Sequence, residues 1–398
     1  MSAAVTRAEL ERAYQALWAW CRARDFAGHD PFDALNSRLF QATPLRRSRL
    51  ARLAWTQALK RAPVNLRPLL GVPREQNPKG LALAALAALA RYRTTRADED
   101  EATPRTLLDE LLAHKLDGWR GPAWGYNFDW QGRAFYAPRG TPAVVPTAFA
   151  ARALVEAADA LAEPRYLRTA RATCDFILQD LRRTAETEEE VCFSYTPLDT
   201  TRVFNASLLA GEVLAAVGAR TGERELSATA ARAARYVVRR QRADGSWAYG
   251  ADSYQTWADN FHTAFILTSL ARIVETDDER RAEFAPALRR GYDFWRAHFF
   301  RADGWPKYFP DRLYPADAHS AAAAVVALCE LHDTAADALP FARTVAAWAL
   351  GALRDPRGFF YYQRRRFRTV RTPHMRWAET WMLYALARLI EGKKNSRQ

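Results

Sequence analysis

Apolar residues recur at three- and four-residue spacing through most of the chain. The clearest segments are Thr147–Ala160, Tyr166–Arg182, Ala206–Val217, Leu226–Arg240, Thr263–Val274, Ala285–His298, Ser320–Leu331, Leu339–Leu353 and Trp377–Ile390. That spacing is the period of an α-helix with one face turned inward, so each segment is predicted to be a helix. The two-residue alternation of a half-buried strand is nearly absent. The predicted fold class is therefore all-α.

The connectors between these helices resemble one another. Each carries an aromatic pair: Trp124-Gly-Tyr126, Phe193-Ser-Tyr195, Trp247-Ala-Tyr249, Trp305-Pro-Lys-Tyr308 and Phe359-Phe-Tyr361. Their first residues lie 69, 54, 58 and 54 positions apart. A polar loop follows each pair and then a helix rich in small residues, while a more charged helix precedes most pairs. Such a period marks a repeated supersecondary unit that buries its face only against its neighbours. Alanine-rich helices pack closely and suit an inner ring, and the charged helices suit an outer one. Five such hairpins, with a further one built on Gly80–Tyr92, predict an (α/α)6-type toroid over residues 80–392. Residues 1–79 are predicted as an N-terminal helical extension, 93–104 as a charged connector and 393–398 as a frayed tail.

Composition narrows the class. The 398 residues are 49% hydrophobic and 26% charged, which excludes a disordered or collagen-like chain. Gly80–Ala90 is the longest apolar run, too short to span a bilayer. Residues 1–17 lack the basic region and apolar core of a secretory signal, and the four cysteines are scattered. A cytoplasmic location is expected, with no metal and no cofactor. The net charge of +13 favours an anionic partner. No helix-turn-helix, zinc-finger or RRM signature is present, so nucleic acid is not expected.

The five turns, and Gln241-Arg-Ala-Asp-Gly-Ser-Trp247 above all, resemble those of the (α/α) toroid superfamily. That superfamily includes six-hairpin glycosidases, polysaccharide lyases and epimerases, and terpenoid cyclases. The strings Trp124-Gly-Tyr-Asn-Phe-Asp-Trp130, Cys192-Phe-Ser-Tyr-Thr-Pro-Leu-Asp199 and Trp257-Ala-Asp-Asn-Phe-His-Thr263 are similar to a group of bacterial proteins encoded with capsule and exopolysaccharide genes. Asn65-Leu-Arg-Pro-Leu-Leu-Gly71 is similar to the same group. The resemblance implies work on a carbohydrate in surface polysaccharide biosynthesis.

In a toroid the inner-helix N-termini and the loops before them line one cavity, and their free N–H groups favour anions. The candidate residues follow. Asp259 and Asn260 suit N-caps, and His262 and His319 open successive inner helices as candidate proton-transfer groups. Tyr308 is a further candidate, since a tyrosine beside cations can act as acid or base. Trp124, Tyr126, Asn127, Asp129 and Arg133 combine aromatic faces for sugar rings with groups for hydroxyls and carboxylates. Tyr195, Asp199, Arg202 and Asn205 form another cluster, and Tyr314, Arg376 and Glu379 complete the set. The basic run from Gln363 to Arg376 is either a solvated face or a clamp for an acidic polymer or membrane headgroups.

Three readings remain open. One is a lyase or C5-epimerase that removes a proton from an acidic (uronate) glycan or its precursor. Another is a glycoside hydrolase, which needs two carboxyl groups about the scissile bond. The last is a non-catalytic glycan-binding or scaffold protein in contact with polysaccharide synthesis machinery.

Overall fold

The computed structural model describes residues 5–132, 135–276 and 278–392. The tail expected at 393–398 lies outside them. Helices α1 (Arg7–Arg22), α2 (Arg38–Gln41) and α3 (Arg49–Arg61) come first. Then follow α4 (Pro78–Thr95), α5 (Asp98–Ala113), α6 (Val144–Leu161), α7 (Pro164–Asp175), α8 (Phe204–Thr221) and α9 (Arg224–Val238). The chain continues through α10 (Asn260–Val274), α11 (Asp278–His298), α12 (Ala318–Glu330), α13 (Ala338–Leu353) and α14 (Thr380–Glu391). Short antiparallel ribbons, such as Arg183–Glu186 with Val191–Phe193, lie in the connecting loops.

Among the described residues, six helices form a closed inner ring: α4, α6, α8, α10, α12 and α14. Each packs on the next, and α14 returns to α4. Their sequences explain the placement. Helix α12 reads Ala-His-Ser-Ala-Ala-Ala-Ala and is buried along its whole length, and α4 is buried from Pro78 to Ala90. Side chains this small let six backbones crowd about one axis. Helices α5, α7, α9, α11 and α13 lie outside and bury one face each, as α9 does with Leu226, Ala230, Ala233 and Val237.

The aromatic turns stitch the two rings together. Trp124 Nε1 donates to the Leu111 carbonyl and Trp247 Nε1 to that of Val237, each in the last turn of an outer helix. Carbonyls there have no partner within the helix, and a buried indole satisfies one of them. Each turn also presses its backbone against the next outer helix. A Cβ added at Gly304 would lie 2.5 Å from the Thr344 carbonyl oxygen of α13. The same atom at Gly358 would lie 2.8 Å from the Ala16 carbonyl oxygen of α1.

That second contact gives α1 its place. It stands where the repeat requires a sixth outer helix, packed on α14, with Arg91 of α4 bonded to Glu11 at 2.9 Å. The N-terminal segment expected as an extension thus contributes a ring helix, and residues 23–77 make the excursion. The expected charged connector at 93–104 is also shorter than expected. Helix α4 runs through Thr95 and α5 begins at Asp98.

Opposite the inner-helix N-termini, a circuit of buried charges joins all six inner helices. Arg93 of α4 bonds Glu156 of α6 at 3.1 Å and Glu391 of α14 at 2.6 Å. Arg152 of α6 grips Glu212 of α8 through two bonds of 2.8 and 2.6 Å. Arg272 of α10 reaches Glu156 at 3.1 Å and Glu330 of α12 at 3.0 Å. Arg388 of α14 joins Glu330 at 3.0 Å and also Glu391. Burial opposes the Glu212 charge, yet Arg152 and Arg272 hold its pKa below the ordinary value. Removing one partner strands charges in the core, at a cost of about 3–5 kcal/mol. Arg272→Met is expected to lower unfolding free energy by that amount in denaturant titrations, while the surface helix-cap change Thr6→Ala costs only about 1 kcal/mol.

Candidate functional site

A cavity of about 1000 Å³ opens at the N-terminal end of the inner ring. Every inner helix contributes to it. Lys79 comes from α4, Val145 from α6, Asn205 from α8, His262 from α10, His319 from α12, and Arg376 from the π-helical turn Met375–Glu379 that leads into α14. The excursion covers one side with Phe32, Leu53, Gln57 and Arg61.

The sharpest chemistry is at the start of α10. Asp259 caps the helix, accepting the His262 backbone N–H at 3.0 Å, and its other oxygen lies 2.7 Å from His262 Nδ1. Trp257 Nε1 donates to that same oxygen at 3.2 Å. An ionised carboxylate can only accept, so Nδ1 carries a proton toward it, and in the neutral ring Nε2 then holds the lone pair. Asp259 is buried and His262 partly open. Tyr249 stacks on Trp257 at 4.6 Å and meets the His262 ring edge-on at 4.6 Å.

His319 is arranged differently. Its ring is 1% exposed and packs against Phe261, Phe265, Trp377 and Trp381. Neither ring nitrogen makes a hydrogen bond among the described residues. Burial drives its pKa well below the usual histidine value, and Lys79, Arg376 and His262 add to this, with only the Trp377 backbone pulling the other way. The Phe261 ring stands between the two histidines, its centroid 4.0 Å from His262 and 4.7 Å from His319.

The remaining walls are aromatic. The Tyr126 and Tyr195 hydroxyls meet at 3.1 Å. Tyr308 is partly buried, and its pKa rises well above the usual phenol value through desolvation, then Asp259 and Asp317. A base with a lowered pKa, as the sequence led us to expect of a tyrosine beside cations, is therefore not what Tyr308 becomes; it keeps its proton. Asn205 Oδ1 has no partner among the described residues. Burial opposes the Arg376 charge, but the bidentate Asp30 carboxylate, 2.7 Å away, holds its pKa above the ordinary value.

Eight sequence candidates thus meet at the cavity: Tyr126, Tyr195, Asn205, Asp259, His262, Tyr308, His319 and Arg376. Others serve the scaffold. Asn260 is consumed by Trp295 Nε1 and by the Phe299 and Lys307 carbonyls. Asn127 accepts from Asn77 at 2.6 Å, and Asp129 from the Tyr136 hydroxyl at 2.7 Å. Asp199 ties the backbones of Thr196 and Thr201, and Arg202 pairs with Asp252 at 2.7 Å. Tyr314 packs edge-on against Trp305, and Trp124 fills its turn. Glu379 accepts the Phe360 N–H at 2.8 Å away from the cavity, and burial raises its pKa well above the usual carboxylate range. Arg133 lies outside the described residues.

Lys79 was missed by sequence reasoning. It borders the long apolar run of α4, and in the sequence it marks only the charged end of that run. In the fold it is 2% exposed, with its ammonium 4.4, 5.0 and 5.2 Å from the Phe149, Phe265 and Trp381 ring centres. Burial, then Arg376 and Arg152, push its pKa well down. Among the described residues no three His, Cys, Asp or Glu side chains gather to hold a metal ion, and no helix is long and apolar enough to cross a membrane.

No family model and no curated protein matches this sequence. Solved structures do. A sugar epimerase from a ruminal bacterium superposes with TM-score 0.63 at 13% identity, covering 81% of this chain and 90% of that one. The fold is the six-hairpin (α/α)6 toroid. An unsaturated glucuronyl hydrolase specific for heparin matches with TM-score 0.61 at 14% identity, over 96% of both chains. A polysaccharide lyase matches with TM-score 0.60 at 9% identity, over 97% of this chain and 98% of that one.

The His319 pKa has a measurable consequence. Its folded value lies well below the unfolded 6.5, so the unfolded chain takes up the proton first. The stability this group contributes is present above pH 6.5 and is lost as pH falls below it, by about 1.4 kcal/mol per pH unit until the folded pKa is reached. His319→Phe is expected to reduce the drop in melting temperature between neutral pH and about pH 5, measured calorimetrically beside the unchanged chain.

Proposed function

We propose that this protein is a carbohydrate-active enzyme that moves a proton on an acidic sugar, as a lyase or an epimerase does. The observation that carries the reading is the Asp259–His262 dyad at the wall of a large aromatic cavity. With Nδ1–H donated to Asp259, the neutral tautomer of His262 presents Nε2 as the base. The hydrogen it takes would lie on the carbon next to a carboxylate or carbonyl. Charge then develops on that group's oxygen, where the protonated Tyr308 hydroxyl, the Asn205 carboxamide and Arg376 are the available stabilisers. Tyr126, Tyr249 and Trp257 offer faces on which sugar rings stack.

The known proteins of this fold support the substrate class, since those compared are a sugar epimerase, a glucuronyl hydrolase and a polysaccharide lyase. The carboxylates weigh against a hydrolase. Asp129, Asp199 and Glu379 are engaged elsewhere, Asp259 is bound to His262, and the other carboxylates lining the cavity among the described residues have partners of their own, Asp244 the Ser246 N–H at 2.9 Å and Asp311 the Arg312 guanidinium at 3.1 Å. The setting we propose is cytoplasmic assembly of a bacterial surface polysaccharide, which the motif resemblance implies.

Proton NMR of uronate-containing oligosaccharides incubated in heavy water tests this. Deuterium at C5, or new alkene protons, is expected. His262→Gln is expected to slow that signal by about 10²–10⁴-fold. New reducing ends without deuterium or alkene signals would overturn the reading in favour of hydrolysis.

A further inference from the structure

Two motifs have no role in the main cavity: the Asn65–Gly71 string and the basic stretch around Arg371. They meet at a second concavity of about 480 Å³, set between the end of α1, the excursion and the segment that leads into α14. Four arginines line it: Arg24, Arg74, Arg357 and Arg371. Arg357 is held by Asp355 at 2.9 Å. The other three make no ion pair with a carboxylate among the described residues. Three unneutralised cations about one hollow repel each other, and an anion entering it relieves that repulsion.

Charge alone would suit any anion, but the wall is selective. Trp20 and Phe359 line the same hollow with ring centres 5.3 Å apart, and the Arg24 guanidinium lies 4.0 Å over the Trp20 ring. An apolar platform beside guanidinium forks matches a sugar ring bearing a carboxylate or sulfate: one face stacks and the acid group is forked. Inorganic phosphate would leave the platform unused.

The hollow is also firmly built. Asn65 Nδ2 donates to His29 Nδ1 at 3.1 Å, and His29 Nε2 faces the Val72 carbonyl at 3.3 Å. Burial, with Arg67 and Arg74 nearby, lowers the His29 pKa to about 4 and keeps the ring neutral. Arg67 of the same motif is locked to the buried Asp33 at 2.6 Å. The motif thus fixes the excursion and leaves Arg74 at the rim. Only one turn separates this hollow from the main cavity: Met375 lines the first, and Arg376 and Trp377 line the second.

We propose that this arginine-lined hollow is a second saccharide site, which holds an acidic sugar unit of the ligand outside the cavity where the dyad stands. The proposal rests on the carbohydrate reading for its ligand class only and requires no turnover. Isothermal titration calorimetry of the full chain with tetragalacturonate, neutral cellotetraose and inorganic phosphate tests it. Saturable binding of tetragalacturonate is expected, weakened by added salt and by about tenfold or more in the Arg74→Gln/Arg371→Gln double variant. Both positions are exposed, and an unchanged melting temperature checks that the variant is folded. Binding that survives the double variant but is lost in His262→Gln would overturn the proposal, because the ligand would then sit in the main cavity. Phosphate binding as tight as tetragalacturonate would overturn the saccharide class, and absence of binding by all three probes would overturn the site. None of these outcomes bears on the heavy-water experiment, so the two readings fail separately.

Discussion

Six short-sided helices crowded about one axis have nothing in their alanine faces to fix how far each is slid or turned. The buried circuit of Arg93, Arg152, Arg272 and Arg388 with Glu156, Glu212, Glu330 and Glu391 supplies that constraint. Each guanidinium forks toward carboxylates on neighbouring helices, and a helix displaced by one turn would strand a charge in the core. Arg93, Arg272 and Arg388 also sit in the last turns of their helices, where the backbone dipoles favour positive charge. With that end fixed, the opposite ends of all six helices converge on one cavity.

The convergence explains the electrostatic character of the cavity. Helix N-termini concentrate positive partial charge, and Lys79 and Arg376 add to it. Further positive charge is costly to bury there, and His319 and Lys79 both have lowered pKa values. Asp259 is tolerated because three donors surround it: the His262 backbone, the His262 ring and the Trp257 indole.

Much of the architecture was legible in the sequence because the repeat is written in residues with a local cause. Small residues mark the inner helices, an aromatic marks each turn, and Asp259 and Asp317 mark helix starts. The sixth outer helix was not legible, since α1 fills the place of an outer helix at the far end of the sequence from its partner α14. Within the site, His262, His319 and Asp259 could be read from their positions at helix starts. Asn260, Asn127, Asp129 and Asp199 could not be separated from them, because a hydrogen bond to a distant carbonyl leaves no trace in local spacing. Lys79 was hidden for the opposite reason: a charged residue beside an apolar run ordinarily faces water, and only tertiary packing puts three aromatic rings around it.

The pairing of α14 with both α1 and α4 means that the ring is sealed by the helix that follows every other helix in the described chain. A chain emerging from the ribosome therefore carries an unsealed crescent for most of its synthesis, with the faces of α1 and α4 that await α14 still wetted. The entropy of bringing such distant segments together rises only with the logarithm of their separation, so the burden falls on the pace of folding more than on the final stability. Until the last helix arrives, two alanine- and leucine-lined edges stand open to each other and to any neighbouring nascent chain.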